Sequence, residues 1–290
     1  MPMNKEISNQ ELIFAAKRTL GRINQSEETL QSLYLQPDRA IFLAEKEGII
    51  LKVYMEEKTL RYEYNIAQKV AVIGVPIPEI LGFAAGQPGV LAMKYVKGYP
   101  LSSLYPLAAQ SAGMYLQRVH NLGAQPPFSG GQQRWDAFIS WWSNLEAEKV
   151  KRLGVLAHRH IMAFQKYCEA LQPLLVQRPV VLLHGDLQPV HILVDPQTEQ
   201  VLAFLDFADA QPGDPLMDIA VATLWDHELA DLLLEGYSRL ENNEETKQIL
   251  SLYRLLRQLG EIPWLLERGF EELADRNITA LQTSLQALTQ

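Results

Sequence analysis

The sequence predicts an α+β protein of two lobes, a small β-rich N-terminal lobe over residues 1–95 and a larger, mostly helical lobe over residues 96–290. Three observations predict it. Short apolar runs broken by turn residues dominate from Ala40 to about Val96; apolar positions at helical spacing dominate after Gly98; and one β-like island, residues 179–207, interrupts the helical part.

In chain order, AIFLAEKEGIILKVY (Ala40–Tyr54) places two apolar runs around a charged EKEG turn, the pattern of a β-hairpin whose second strand carries Lys52. KTLRYEYNIAQKVAVIG follows with Leu60, Tyr64, Ala67 and Ala71 at helical spacing and Glu63 near its start. VPIPEILGF is expected to be extended, because each proline biases its predecessor away from the helical region. VLAMKYV reads as a further strand. LAAQSAGMYLQRVHNL, a long segment from Trp135 to about Leu175, and much of 216–287 read as helices, while VVLLH, HILV and VLAFLDF read as strands. Neither an internal repeat nor a low-complexity tract is present.

Composition narrows the function classes. At 290 residues, 48% hydrophobic and 21% charged, the chain can bury a sizeable core. A net charge of −8 with no clustered Lys and Arg argues against nucleic-acid binding, which needs cations along a phosphate backbone. The single cysteine, Cys168, excludes an internal disulfide framework and any CxxC metal site, and reads as a small core residue in a reducing compartment. MPMNKEISNQELIFAAKRTL has no apolar h-region and no later run is long enough to span a bilayer, so a cytoplasmic protein without a membrane partner is expected.

Two aspartates carry the chemistry. Asp186 follows the apolar run VVLLHG, and Asp206 closes VLAFL twenty positions later. HILV and VLAFL, joined by a DPQTEQ turn, are expected to pair as a hairpin and bring both carboxylates to one edge. Such a pair suits phosphoryl transfer, in which one carboxylate orients or deprotonates a hydroxyl and another holds a divalent ion against phosphates. Either aspartate alone would read as a cap or turn residue.

VLLHGDLQPVHILVD followed by LDFADAQPGDPLMDIA resembles the signature of the aminoglycoside phosphotransferase and choline kinase-like family, relatives of the protein kinases. The resemblance spans roughly residues 35–240 and is most specific over 181–220. It implies a two-lobed protein-kinase-like fold with a nucleotide-binding N-terminal lobe and a catalytic, acceptor-binding C-terminal lobe. It also implies that Asp186 is the catalytic base, that Asp206 holds Mg²⁺, and that Asp214 and Asp218 brace the catalytic loop. Upstream, Lys52 takes the place of the strand lysine that meets nucleotide phosphates, and Glu63 that of the helix glutamate anchoring it. LAMKYVKGYPL resembles the hinge, where main-chain groups of Lys94 and Val96 would meet a purine. His120 in QRVHNL is expected to be a packing residue.

Two departures stand out. LYLQPDRAIF has no glycine where the family's nucleotide loop often has several, which weakens the expectation of backbone contact with phosphate. His191 replaces the family's asparagine. Imidazole is a softer ligand that Mn²⁺ accepts more readily than Mg²⁺ does. Macrolide phosphotransferases, a branch of the same superfamily, resemble this sequence in carrying HGDLxxxHxL. Three roles stay open for His191: ligand to Mg²⁺ or Mn²⁺, hydrogen-bond donor to a phosphate, or packed core residue.

The expected activity is transfer of the terminal phosphoryl of ATP or GTP to a hydroxyl of a small molecule: an aminoglycoside, a macrolide, an amino alcohol or a sugar. The acceptor would meet Trp135, Trp141, Trp142 and Trp225, with Asp226, Glu228, Asp231 and Glu261 available to amines; the plain reading of these residues is lobe core and solvated helix faces. The rival from another class is a catalytically inactive kinase-like module that binds nucleotide or small molecule without turnover. A metal-dependent phosphohydrolase would leave Lys52, the hinge-like strand and GDPLMD without a role.

Overall fold

The computed structural model describes residues 9–23, 30–36 and 38–288. Residues 1–8 of the N-terminal stretch and Pro37 of the glycine-free run lie outside the described residues. The chain forms two compact units, Met1–Leu101 with Val190–Ala210, and Ser102–Pro189 with Gln211–Gln290.

The first unit is built on an antiparallel sheet of β1 (Gln31–Leu35), β2 (Arg39–Ala44), β3 (Ile49–Tyr54), β4 (Ile80–Ala84) and β5 (Gly89–Lys94), in the order β1-β2-β3-β5-β4. The EKEG segment is the β2–β3 turn, with Ala44 opposite Ile49. Side chains alternate across a strand, and that alternation decides where Lys52 goes. Ile49, Leu51 and Val53 join a core with Phe42, Val90, Ala92 and helix α1 (Asn9–Arg22). Ile50, Lys52 and Tyr54 must then face the opposite side, where Tyr54 packs with Leu91 and with Leu60 of helix α2 (Glu57–Val72).

The polar texture of the N-terminus hides α1. Its buried residues Leu12, Ala15, Ala16, Thr19 and Leu20 follow the i, i+3, i+4, i+7, i+8 stripe of a helix laid on a sheet. In α2 the buried stripe is Leu60, Glu63, Ile66, Ala67 and Val70, rotated from the expected Leu60–Tyr64–Ala67–Ala71 line, so that a glutamate is part of the buried face.

Residues 190–210 belong with this unit for a hydrogen-bonding reason. Strands β8 (Ile192–Asp195) and β9 (Gln200–Phe204) form the hairpin read from HILV and VLAFL. Its β8 edge pairs with β6 (Tyr99–Pro100), and Phe204 N–H donates to the Pro76 carbonyl at 2.7 Å. Residues 96–101 and 190–210, which the expected boundary after residue 95 assigns to the C-terminal lobe, lie in this first compact unit.

The second unit holds α3 (Pro106–His120), α4 (Trp135–Leu153), α5 (His158–Leu175), β7 (Val181–Leu183), β10 (Gln211–Gly213), α6 (Pro215–Ala222), α7 (Glu228–Gly236), α8 (Glu244–Glu267) and α9 (Glu271–Ala287). The long segment from Trp135 is two helices, broken where Gly154 N–H closes α4 on the Val150 carbonyl. Cys168 is buried in α5, and burial pushes its thiol up to about 12. No helix among the described residues is long and apolar enough to cross a membrane.

Helices α3 and α7 touch backbone to backbone. A Cβ at Gly113 would collide with the Leu233 carbonyl, and one at Gly236 with the Gln110 carbonyl. The obstacle in each case is main chain, which cannot rotate away. Gly113→Ala is therefore expected to destabilise the protein by about 1–3 kcal/mol, the usual cost of overpacking, read as a lower urea midpoint with an unchanged slope. An unchanged midpoint would show that the crossing is looser than this.

Candidate functional site

Lys52 is the centre of the first unit's site. It is 5% exposed, and its Nζ lies 2.6 Å from Glu63 Oε1 and 2.9 Å from Asp206 Oδ1. Burial opposes the ammonium, but Glu63 and then Asp206 outweigh it and hold the group above the ordinary lysine value. Burial likewise pushes the Glu63 carboxyl up, against the pull of Lys52. With two carboxylates against one ammonium at these distances, the cluster keeps Lys52 charged.

Asp206 lies one residue beyond β9, after Leu205, and has φ 62° and ψ 69°, a left-handed backbone that a side-chain-bearing residue seldom adopts. Strain of this kind persists where surrounding structure imposes it, and it concentrates at functional sites. Here the Leu205 N–H bond to the His191 carbonyl (2.8 Å) closes the hairpin immediately before Asp206. Tyr62 of α2 donates to the Ala210 carbonyl at 2.7 Å beyond it.

Lys52, Glu63, His191 and Asp206 line one cavity of about 320 Å³, together with Lys94, Tyr95 and Val96. Its remaining walls are mainly apolar and include Ile50, Ile77, Met93, Leu193 and Phe204. That combination, a mainly apolar cavity with a few charged and polar groups, is the usual form of a small-molecule site. In the segment read as a hinge, Lys94 N–H donates to the Glu79 carbonyl at 2.8 Å and Tyr95 N–H to the Gly48 carbonyl at 2.6 Å. Val96 N–H has no backbone acceptor among the described residues.

The described residues contain no group of three or more His, Cys, Asp or Glu that could hold a metal ion. The donors lining the cavity beside Lys52 include the Asp206 carboxylate and the His191 imidazole. An ion bound mainly through substrate phosphates needs only one or two protein ligands, so this set fits such an ion and not an all-protein cage.

Asp186 belongs to the second unit. It leaves β7 through Gly185, whose φ of 88° a Cβ would disfavour. The turn is pinned by Asp218, which accepts from His184 N–H at 2.7 Å and Gly185 N–H at 3.0 Å. His120 Nε2 lies 3.0 Å from Asp218 Oδ2, and its Nδ1 lies 2.9 Å from the Tyr237 hydroxyl. An Nε2–H tautomer satisfies both contacts, so His120 is a buried linker as well as a packing residue. Asp214 caps α6 through Leu216 N–H and also receives Arg178 and the Tyr253 hydroxyl.

Arg257 on α8 is a site residue that the sequence did not single out. Its Nη2 is 2.6 Å from Asp186 Oδ1, and Gln188 Nε2 sits 3.1 Å from the same oxygen. Arg257 is itself fixed by Glu261 at 2.8 Å, which accepts from Asn277 of α9 at 3.0 Å. The relay spans three distant sequence segments, and only the i, i+4 spacing of Arg257 and Glu261 hinted at it.

The acceptor candidates separate. Trp135, Trp141 and Trp142 line a second cavity of about 280 Å³, wholly within the second unit, with Glu146, Gly185 and Arg257. Trp225 instead stacks under Arg276, Asp226 accepts from Ser103 N–H, and Asp231 accepts from Asn242. Glu228 stands in the first turn of α7. Glu146 was missed although it stands four residues after Trp142, on the same helix face.

The β-rich part and the mostly helical part together form a protein-kinase-like fold, seen also in solved structures. The GDP complex of aminoglycoside 2'-phosphotransferase-IIIa superposes with a TM-score of 0.74 at 16% identity, covering 97% of this chain and 99% of that one. The GDP and kanamycin complex of APH(2")-IIia gives 0.75 at 16% identity over 94% and 98%. An apo thermostable mutant of APH(4)-Ia gives 0.69 at 16% identity over 94% and 98%. No curated protein matches the sequence. The model of the phosphotransferase enzyme family matches residues 38–260, and the chain belongs to that family.

Arg257 holds the Asp186 carboxylate through an ion pair at 2.6 Å. Arg257→Met is expected to lower kcat about 10- to 100-fold, the cost of a misplaced reacting group, with the KM for nucleotide unchanged and partial recovery in Arg257→Lys. Equal loss in kcat/KM for nucleotide and in stability would make the role merely structural.

Proposed function

We propose that this protein transfers the terminal phosphoryl group of ATP or GTP to a hydroxyl of a small molecule. The observation that carries this reading is Lys52: a buried ammonium kept charged by Glu63 and Asp206, at the wall of a cavity otherwise mainly apolar. A fold bears the cost of burying a charge where an anion is to be met.

In this reading the mainly apolar cavity takes the base, with Val96 N–H as the free hinge donor and the Lys94 segment beside it, and Lys52 takes the phosphates. Asp206 and His191 would hold Mg²⁺ or Mn²⁺, which when bound would draw charge from the phosphate oxygens. Asp186 orients the acceptor hydroxyl and takes its proton as the oxygen bonds to the terminal phosphorus; the bond to the bridging oxygen breaks and the nucleoside diphosphate leaves. Arg257 and Gln188 keep the Asp186 carboxylate aimed.

The glycine-free β1–β2 connection favours the second reading, a module that binds nucleotide without turning it over. Nucleotide consumption across a panel of hydroxylated compounds separates the two. Turnover is expected in the wild type and is expected to fall about 10²- to 10⁴-fold in Asp186→Asn, the range for loss of a general base, with nucleotide affinity retained. Binding in both proteins without turnover by either would favour the module. In the same assay His191→Asn is expected to shift the metal preference from Mn²⁺ toward Mg²⁺; identical kinetics with both ions would remove the ligand role.

A further inference from the structure

Among the described residues, the second cavity has an acceptor with no donor. Glu146 is 5% exposed and lines it; its Oε1 meets Lys149 at 2.8 Å, but its Oε2 is buried without a hydrogen-bond partner among the described residues. Lys149 is a half-exposed side chain, and such a pair contributes little. A buried carboxylate oxygen without a donor is costly, and the cost is relieved when a ligand brings one. The other charged group on the wall, Arg257, is already engaged by Asp186 and Glu261.

The walls of the same cavity include Trp135, Phe138, Trp141 and Trp142. Phe138 stacks on Trp142 with ring centroids 5.7 Å apart, and Trp141 lies 6.0 Å from the Phe138 ring. Aromatic faces beside a carboxylate attract a single organic cation, the faces through their quadrupole and the carboxylate through its charge. A polycation needs several carboxylates, and Glu146 is the one acidic side chain lining this cavity. The volume, about 280 Å³, suits one or two rings. Gly185 also lines it, which puts the bound molecule next to Asp186.

We propose that this cavity is the acceptor site and that its ligand is a hydroxyl-bearing monoamine with an aromatic or apolar body, its ammonium on Glu146 and its rings against Trp141 and Trp142. The proposal rests on the phosphotransfer reading for the fate of the hydroxyl, but not for binding.

The test is a titration of the full-length protein with N-benzylethanolamine, its uncharged counterpart 2-benzyloxyethanol, and kanamycin, followed by tryptophan fluorescence and calorimetry. The amine is expected to bind at least about tenfold more tightly than either comparison compound, and Glu146→Gln and Trp141→Ala to weaken it about tenfold each. Kanamycin or the ether binding as tightly as the amine, unchanged affinity in a folded Glu146→Gln, or no saturable binding of the amine at millimolar concentration would overturn it. If Glu146→Gln does not fold, the half-exposed Trp141 and the amine–ether comparison in the wild type decide. Binding that depends on Glu146 with no nucleotide consumed supports the cavity assignment and counts against phosphotransfer alone; turnover of the amine that is indifferent to Glu146 overturns the assignment and leaves phosphotransfer standing.

Discussion

A lysine buried in a β-strand is the constraint on which the first unit depends. Removing one partner from a buried ion pair costs about 3–5 kcal/mol, because the survivor is left charged and dry. Lys52 therefore dictates its surroundings. The pleat of β3 sends it away from the α1 core, α2 must bring Glu63 to it on an otherwise apolar stripe, and the β8–β9 hairpin must end with Asp206 2.9 Å away. The left-handed backbone at Asp206 is consistent with that demand.

The second unit solves a related problem around Asp186 with different chemistry. Asp218, fully buried, gathers two backbone N–H groups and His120, so that the Gly185 turn is fixed by hydrogen bonds to a helix. Arg257 then restrains the carboxylate from the far side of the chain, and Glu261 and Asn277 restrain Arg257. The aromatic face of α4 lies against the same loop through Gly185, which links the geometry of Asp186 to whatever fills that cavity.

Much of this was legible in the sequence because local pattern and chemistry agreed there. The β2–β3 hairpin, the β8–β9 hairpin and the helices after Pro106 follow apolar periodicity, and Lys52, Glu63, Asp186 and Asp206 stand in strongly patterned segments. What was not legible had a local reason. The helix α1 is hidden by its polar outer face; β1 is a short strand exposed over its first three residues; and the break at Gly154 is a single residue in a long helical pattern. Arg257 and the linking role of His120 depend on tertiary contacts tens to more than a hundred residues apart, which no window along the chain contains.

In the proposed function, Lys52 and Glu63 act as one unit in holding nucleotide phosphate. A double-mutant cycle tests it most directly, with calorimetric affinity for ADP measured in Lys52→Met, Glu63→Gln and the double variant. The account predicts that each single change weakens binding about tenfold or more and that the double variant loses no more than the worse single one. Losses that add, or a Glu63→Gln protein that binds ADP as the wild type does, would contradict it.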